Sequence, residues 1–572
     1  MRITSYTKRI LRQLAAQLYD RMPPTLRHLL PDSIWLRAGV LDGFIGLVVD
    51  KGITSLKVAA PNDGDASVLM LRMRWVPRHL AMETVLASEL ARRGVPVAFA
   101  LCDQTLPACT GYDVRSHDRR REMCAYCARN NHAFASVSPF PTCHLAEFLE
   151  PADLQAAKRF ASGVTADDLS DLTVDGLQLG NEFELTLAKY LFVSDVSVHP
   201  LTQSLAKEFA VSAYLLVVGL RRLLTKRRPS VVVMNAGQIM YYGVAYRLCK
   251  TMGIRTVTYD ETNLSVVYLG WVFDDARPVL DFDWSKTWEE RRSIVPSLDE
   301  RSAVKQIIDT RRTYYLYEPD SKSRRLSTVF EPSRYRRVFA LFTNIVWDCT
   351  VVGRNPVYGS HVDWLVETIA VLSQHPDCGL VVRIHPAEAG VYGMPSLERV
   401  LDGVASRVPT LPPNVTIITA EQRINSYELM DAADVVLAYA SSVGMECALS
   451  GTPVVTVGDA YYRNKGFTLD PRSPAEYVEL LDTLSNASEL PEVDTELATK
   501  FAYLAFVDSQ LDLGIFGEEH PFTVNTLRLT DLGKPLEGQA SIGISRLADF
   551  VLATGPDLPL GPLLRDSPGD RA

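Results

Sequence analysis

The chain has 572 residues, of which 47% are hydrophobic and 22% charged, and its formal net charge is -9 at pH 7. This length is too great for one hydrophobic core and predicts two or three domains. The acidic balance argues against a nucleic-acid-binding protein, whose surface would be basic. No apolar run reaches the ~18 residues of a bilayer-spanning helix, and residues 1–20 lack the features of a signal peptide. We therefore expect a cytoplasmic protein.

Residues 1–50 begin with a basic segment. The first thirty residues contain several cations and a single acid, Asp20, and their apolar residues recur at helical spacing (Ile10, Leu11, Leu14, Leu18). This pattern predicts an amphipathic helix that packs on the first domain. The alternative is contact with the anionic surface of the inner membrane, as in a peripheral membrane protein.

The N-terminal domain is expected to span residues 51–330 and to begin with a βαβ unit. Apolar runs predict its strands, and segments with helical spacing lie between them. The strands are Val68–Met73, Val95–Leu101, Val231–Met234 and Arg255–Tyr259, and the helices are Leu80–Arg92 and Ile239–Met252. Residues 151–228 contain few Gly or Pro and predict a helical insert. Residues 265–335 are expected to be irregular and to contain the crossing to the next domain.

The C-terminal domain is expected to span residues 336–515 and to repeat the alternation of strands and helices. Such alternation predicts a parallel sheet covered on both faces. The strands are Val338–Phe342, Gly379–Ile384, Val415–Ile418, Val435–Tyr439 and Val454–Val457, and the helices are His361–Ser373, Ser426–Ala433 and Val443–Leu449. Residues 516–572 form a Pro- and Gly-rich extension whose last ten residues we expect to be disordered.

Five of the nine cysteines lie within residues 102–145, which we interpret as an insert in the N-terminal domain. Four thiols with one CxxC spacing suit a closed, structural zinc site formed by Cys102, Cys109, Cys124 and Cys127. An iron–sulfur cluster is an alternative because it also takes four cysteines, and free thiols are another. The pair Cys143-His144 could replace one ligand. Either metal would staple an insert that has too few apolar residues to fold alone.

Polar residues follow three strands of the C-terminal domain. His385-Pro386 ends one strand, and because Pro386 restricts the preceding residue to an extended conformation, His385 projects into the loop. Its imidazole could donate to a phosphate oxygen, although a loop histidine without a ligand is the simpler interpretation of this pair alone.

The next strand is followed by a strand-to-helix turn, Ser441-Ser442-Val443-Gly444. Small residues let a ligand approach the backbone, and the amides and dipole of a helix start favour an anion. A plain helix cap is the alternative. Glu446 could reach a ribose hydroxyl or complete a capping box.

A basic loop follows the third strand and contains Arg463 and Lys465. Two cations could neutralise a diphosphate or a carboxylated sugar, and a solvated charged loop is the alternative. Because carboxyl ends of parallel strands form a ligand-binding crevice, we expect the three loops to lie at one edge of the sheet.

Together these residues resemble the bacterial capsule polysaccharide biosynthesis glycosyltransferases, and more loosely the bacterial Kdo and sialyltransferases with their HP and SS motifs. The resemblance covers roughly residues 338–475. It includes Phe342-Thr343-Asn344-Ile345-Val346-Trp347-Asp348, Asp363-Trp364-Leu365, Arg383-Ile384-His385-Pro386-Ala387-Glu388, Ser441-Ser442-Val443-Gly444-Met445-Glu446 and Tyr462-Arg463-Asn464-Lys465-Gly466-Phe467.

The resemblance implies a GT-B-like α/β fold, in which two Rossmann-like domains face a central cleft and the nucleotide binds the C-terminal one. His385 and Ser441 or Ser442 would then hold the donor phosphate. A carboxylate of the N-terminal domain would be the general base, here Asp260 or Glu261, although relatives have Gly after the acid and this chain has Glu261. Asp103 and Asp348 also follow strands and are alternative bases. The donor-binding set would be Arg383, His385, Pro386, Glu388, Ser441, Ser442, Val443, Gly444, Glu446, Arg463 and Lys465.

These features predict a glycosyltransferase that moves a sugar from a nucleotide-activated donor to a surface polysaccharide or lipid-linked glycan. The resemblance favours a CMP-linked acidic sugar, with UDP- and GDP-linked donors as alternatives. Since no Asp-x-Asp pair follows a predicted strand, we expect no metal at the donor site. A nucleotide-sugar 2-epimerase of the same fold is a second hypothesis. A non-catalytic, metal-binding assembly factor of a polysaccharide machine is a third.

Overall fold

The computed structural model describes residues 15, 43–58, 68–260, 271–277, 285–313, 325–390, 395–511, 513, 532, 534 and 538–552. They divide into two compact units. Described residues of Met1–Thr186, Pro200–Pro278 and Leu511–Asp566 form the first unit, and those of Leu187–His199 and Val279–Gln510 form the second. The predicted N-terminal helix (Ala15 apart), Glu261 and the last ten residues lie outside the described part of the chain.

The first unit contains a six-stranded sheet and a two-stranded hairpin. The strands are β1 (Val68–Arg72), β2 (Val97–Leu101), β3 (Thr142–His144), β4 (Thr173–Val174), β5 (Leu177–Gln178), β6 (Val231–Asn235), β7 (Arg255–Asp260) and β8 (Trp271–Asp274). The large sheet has the order β3-β2-β1-β6-β7-β8, and β4 pairs with β5. All pairs of the large sheet are parallel except β7 with β8. The central strands β1 and β6 are apolar except for their last residues, Arg72 and Asn235, as expected for strands covered on both faces.

Seven helices precede β7 among the described residues of the first half of the chain. They are α1 (Gly43–Asp50), α2 (Pro77–Arg92), α3 (Arg120–Val137), α4 (Pro151–Ser162), α5 (Gly180–Leu191), α6 (Thr202–Arg227) and α7 (Met240–Met252). The predicted βαβ start is confirmed as β1–α2–β2. The predicted helical segment 151–228 is confirmed as α4, α5 and α6, which the β4–β5 hairpin interrupts.

The predicted cysteine-rich insert packs into the core of the first unit. Ala133 and Phe134 of α3 are buried in the core of the first sheet. The Phe134 ring lies 5.4 Å from that of Phe99 in β2, and Tyr126 and Cys127 pack against the same cluster. Helix α3 therefore folds through apolar contact with the sheet.

The second unit is built on a five-stranded sheet in which every pair is parallel. The strands are β9 (Arg337–Phe342), β10 (Cys378–Arg383), β11 (Val415–Ile418), β12 (Val435–Ala438) and β13 (Val454–Thr456), in the order β11-β10-β9-β12-β13. The helices are α8 (Ser285–Arg291), α9 (Leu298–Thr313), α10 (His361–Leu372), α11 (Val400–Arg407), α12 (Ser426–Ala432), α13 (Ser442–Leu449), α14 (Pro474–Asn486) and α15 (Thr495–Tyr503). The predicted parallel α/β architecture is confirmed.

The expectation that residues 265–335 are irregular is wrong for the described part of that range. Helix α9 occupies sixteen of these residues, and its start has a sequence signal. Ser297 Oγ accepts the Glu300 N–H at 3.2 Å, while Glu300 Oε2 accepts the Ser297 N–H at 2.7 Å. This is the reciprocal arrangement of a capping box.

The described end of the chain is helix α16 (Gly538–Leu552), within the predicted C-terminal extension. Ile544, Leu547 and Phe550 of α16 join the core of the first unit, and Arg93 donates to Asp549 at 2.5 Å. Within the described ranges, no helix has both the length and the apolar character to span a bilayer.

Candidate functional site

The carboxyl ends of β10, β9 and β12 meet at one edge of the second sheet because the three strands are neighbours and parallel. A cavity opens there. It is lined by Arg311, Phe342, Thr343, Arg383, His385, Pro386, Ser426, Tyr427, Met430, Ser441, Ser442, Val443 and Glu446. The structure thus brings the His-Pro and Ser-Ser pairs together.

His385 is held by its backbone and by its ring. Its N–H donates to Thr343 Oγ1 at 2.8 Å, and its Nδ1 accepts the Ala387 N–H at 3.1 Å. Burial lowers the pKa of His385 to about 4, an effect that the carboxylate of Asp348 opposes. At neutral pH the imidazole is therefore uncharged. Because Nδ1 is an acceptor, the ring hydrogen lies on Nε2 and can be donated.

The Ser-Ser turn begins helix α13. Ser441 Oγ accepts the Val443 N–H at 3.3 Å, which confirms the helix-cap interpretation of Ser441. Gly444 is small for a packing reason, since a Cβ there would collide with the hydroxyl of Tyr462. That hydroxyl donates to the Ser441 carbonyl at 2.6 Å. Tyr462 therefore sets the position of the helix start.

Arg311 lines the cavity but is absent from the predicted donor-binding set. It comes from the last turn of α9 and lines the cavity. Its Nε donates to Glu446 Oε1 at 2.9 Å, and its Nη2 donates to Ser442 Oγ at 3.2 Å. Burial alone would lower the pKa of Arg311, but the carboxylate of Glu446 and the hydroxyl of Tyr427 raise it above its ordinary value. Arg311 is therefore a permanent buried cation.

The Glu446 carboxylate binds Arg311 and Tyr427, which the sequence did not predict as its partners. Its carboxylate accepts from Arg311 and, at 2.7 Å, from the Tyr427 hydroxyl. It thus takes part in a buried ion pair, and the expectation of a capping box is wrong because Ser441 alone caps the helix. Contact with a ribose hydroxyl stays a prediction.

Three cations of the predicted donor-binding set contact carbonyl oxygens or an aromatic ring of the protein itself. Arg383 lines the cavity but donates to the Thr419 carbonyl at 2.7 Å. Arg463 donates to the carbonyl of Gly458 at 3.1 Å and to that of Pro471. The Lys465 ammonium lies 6.0 Å from the centre of the Phe501 ring. Neither Arg463 nor Lys465 lines the cavity, so the structure does not bring them to it.

Glu388 also lies outside the set of lining residues. Its side chain is 1% exposed, and its carboxylate makes no hydrogen bond of normal geometry to the described residues. Burial raises the pKa of Glu388 to about 7, a rise that the Val400 N–H and Arg399 partly offset.

The candidate bases lie at strand ends of the two units. Asp260 ends β7 of the first unit, opposite Trp271 in the sheet register. Asp103 follows β2 and accepts from the Thr105 hydroxyl at 2.5 Å. Asp348, in the second unit, accepts the Thr350 N–H at 2.8 Å. A catalytic role for any of them stays a prediction.

The four predicted metal ligands lie at the carboxyl end of β2 and on α3. Cys102 directly follows β2, and Cys124 and Cys127 lie one turn apart on α3. As these side chains are placed, no group of three or more His, Cys, Asp or Glu residues in the described ranges could hold a metal ion. Zinc and iron–sulfur ligation stay predictions.

The fold and the cavity define an α/β protein with a polar cavity at the carboxyl edge of a parallel sheet. Residues 298–483 match the family described as capsule polysaccharide biosynthesis protein. The match confirms the predicted resemblance over about a third of the chain, and every residue that lines the cavity falls inside it. No curated protein matches.

Two solved structures illustrate the wider similarity. The KpsC β Kdo 2,4 transferase of Thermosulfurimonas dismutans is 14% identical, covers 50% of this chain and 81% of its own, and has a TM-score of 0.32. The UDP-GlcNAc 2-epimerase of Neisseria meningitidis is 11% identical, covers 77% and 97%, and has a TM-score of 0.31. At such scores the similarity does not distinguish a transferase from an epimerase.

Proposed function

We propose that the protein is a capsule polysaccharide glycosyltransferase that uses a nucleotide-activated sugar donor. The observation that carries the proposal is the cavity of the second unit. It collects an uncharged imidazole, a serine-capped helix start and the buried cation Arg311 within the segment that matches the capsule family.

The cavity's chemistry suits the phosphate of a departing nucleotide. His385 offers one N–H, Ser442 a hydroxyl and Arg311 a fixed positive charge. The backbone amides at the start of α13 add a partial positive charge. Donors that are already in place stabilise the charge that develops as the sugar–phosphate bond breaks.

The ion pair with Glu446 fixes where Arg311 lies. A lone arginine at this depth would be costly, and the paired carboxylate offsets that cost. Glu446 accepts from Arg311 and from Tyr427, so the pair is anchored on both sides. Glu446 is therefore assigned a positioning role, whereas Arg311, His385 and Ser442 contact the donor.

The other parts of the reaction follow the family resemblance. The donor would be a CMP-linked acidic sugar, and the acceptor a surface polysaccharide or lipid-linked glycan reached from the inner membrane face. Asp260 or Glu261 would take the acceptor's proton as the general base. The donor site uses side-chain and backbone hydrogen-bond donors in place of a divalent metal.

The test is calorimetric titration of the full chain with CMP, UDP, GDP and TDP. We expect one nucleotide to bind and His385→Ala to weaken it at least tenfold. His375→Ala is the matched control, since His375 precedes β10, at the opposite edge of the same sheet, and lies 3.0 Å from Asp482. Equal binding by wild type and His385→Ala would refute the proposal.

Activity separates the alternative functions. A transferase consumes donor in proportion to added acceptor, whereas a 2-epimerase converts its nucleotide sugar without acceptor. Polymer production that is unchanged by His385→Ala in cells would indicate a non-catalytic assembly factor instead.

A further inference from the structure

The residues that line the cavity of the second unit divide into two sets by their burial. The three proposed to contact the donor phosphate, Arg311, His385 and Ser442, are partly exposed. Tyr427 and Met430 also line the cavity but are each only 5% exposed. Removing a charged phosphate from water costs far more than removing an uncharged ring. A nucleotide would therefore place its phosphate against the exposed polar set and its base against the buried set.

The buried set belongs to helix α12. Residues three and four apart are neighbours on a helix, so Met430 lies beside both Ser426 and Tyr427, and all three line the cavity. Asn425 fixes the start of this helix, since its side chain accepts the Tyr427 N–H at 2.9 Å. The three side chains therefore form one wall of the cavity.

The Tyr427 ring is held in place by two contacts. The Arg312 guanidinium lies 4.9 Å from the centre of the ring, and the Tyr427 hydroxyl donates to Glu446 at 2.7 Å. Arg312 does not line the cavity, so the cavity meets the ring away from Arg312. A fixed aromatic ring beside the polarisable thioether of Met430 suits the flat face of a nucleobase. A sugar fits this wall poorly because its hydroxyls would need several polar partners.

The hydroxyl of Ser426 is available to a ligand. Four other hydroxyls of the cavity lining make hydrogen bonds within the protein, those of Thr343, Tyr427, Ser441 and Ser442. Ser426 is 3% exposed, and its hydroxyl has no hydrogen-bond partner among the residues that the structure describes. A buried hydroxyl without a partner is unfavourable. Ser426 is therefore suited to bond a polar group of a ligand in the cavity.

We propose that Ser426, Tyr427 and Met430 form the subsite for the base of the donor nucleotide, with the polar edge of the base bonded to the Ser426 hydroxyl. This inference rests on the proposed function, since it concerns the same donor. None of the three residues belongs to the predicted donor-binding set. A hydroxyl can donate to a ring carbonyl or accept from an exocyclic amino group. Ser426 is thus a specificity-determining residue for the base.

The test compares a nucleotide with its counterpart that lacks a base. Calorimetric titration of the full chain identifies the tightest ligand among CMP, UDP, GDP and TDP. The matching ribose or deoxyribose 5-phosphate or 5-diphosphate, the abasic ligand, is then titrated under the same conditions. In wild type we expect the abasic ligand to bind about tenfold more weakly or worse, because it lacks the stacked ring. This comparison needs no variant, so a folding defect cannot obscure it.

Variants locate the base within the cavity. Ser426→Ala should weaken the nucleotide about fivefold and leave the abasic ligand unchanged, because it removes a hydrogen bond to the base. Ser485→Ala is the matched control, since the Ser485 hydroxyl is also buried without a hydrogen bond to the described residues but does not line the cavity. It should change neither affinity. Tyr427→Leu should reduce the preference for the nucleotide over the abasic ligand, whereas Tyr427→Phe, which keeps the ring, should preserve it.

The outcomes separate this inference from the proposed function. Equal binding of the nucleotide and the abasic ligand by wild type would overturn the base subsite and leave the phosphate site at His385 intact. An unchanged nucleotide affinity in Ser426→Ala, or equal losses for the two ligands, would overturn it as well. If no nucleotide binds wild type, the proposed function and the base subsite both fall.

Discussion

Replacement of Glu388 by Gln should change how the protein's stability depends on pH. The Glu388 carboxyl is buried beside the His-Pro turn, and burial raises its pKa from 4.5 to about 7. Between these two values the folded state holds a proton that the unfolded state releases. The free energy of unfolding of the wild type therefore falls as pH rises through this window.

The size of this effect follows from the two pKa values. Summed between pH 5 and pH 8.5, the ionisation of Glu388 costs the folded wild type about 2.5 kcal/mol of stability. The amide side chain of the Glu388→Gln variant cannot ionise, so the variant lacks this loss. Burial of the amide itself lowers the stability of the variant, but by the same amount at both pH values. This contribution therefore cancels when the stability change between the two pH values is compared with that of wild type.

Urea denaturation of wild type and Glu388→Gln at pH 5 and pH 8.5 measures the difference. We expect the variant to gain about 2.5 kcal/mol relative to wild type on going from the lower to the higher pH. Glu489→Gln, at an exposed position, is the control and should shift little. Parallel pH dependence of wild type and Glu388→Gln would refute the reasoning.

Three further outcomes follow from the candidate site. Arg311→Met leaves Glu446 buried without its cation and should lower the free energy of unfolding in urea by ~3–5 kcal/mol. The control Arg312→Met breaks an exposed pair with Asp431 and should lower it by under ~1 kcal/mol. Equal losses of stability in the two variants would contradict the buried pair. Gly444→Ala should destabilise the folded protein by ~1–3 kcal/mol through overpacking against Tyr462. Adding Tyr462→Phe to this variant should recover part of the lost stability in thermal unfolding. Additive losses of stability would show that the Tyr462 hydroxyl does not collide with the new methyl group. Burial lowers the pKa of His385 to about 4, so the unfolded state takes up a proton that the folded state does not. As pH falls from 8 to 5, the free energy of unfolding of wild type should therefore fall by about 2 kcal/mol relative to that of His385→Asn. A stability difference that stays constant with pH would contradict a buried neutral ring.

The second sheet was predictable from sequence because each of its strands is a short, mainly apolar run. Such runs identify strands buried on both faces, and the polar residues after them mark the carboxyl edge. Val415–Ile418 was predicted to the residue. His385 and the pair Ser441-Ser442 follow strands of this sheet, so the shared carboxyl edge alone predicts that these residues lie close together.

The missed parts of the site depend on long-range contacts. Arg311 is 135 residues from Glu446, and no local pattern marks a lone arginine in a charged segment as buried. The helix that carries Arg311 begins with a capping-box pattern, Ser297 with Glu300. The surrounding Arg- and Asp-rich sequence nevertheless favours an irregular segment. The charges of Arg463 and Lys465 predict a position at the cavity, but Arg463 donates to two carbonyls and Lys465 lies near an aromatic ring.

The return of helix α16 to the first unit has a consequence for biosynthesis. Leu511, Ile544 and Val551 complete a hydrophobic core whose sheet begins at Val68. Nascent domains generally fold in order from the amino terminus, but here the early sheet must wait for segments translated more than four hundred residues later. The second unit, whose sheet spans Arg337–Thr456, can mature first on the ribosome, and the first unit closes only after Val551 has been translated.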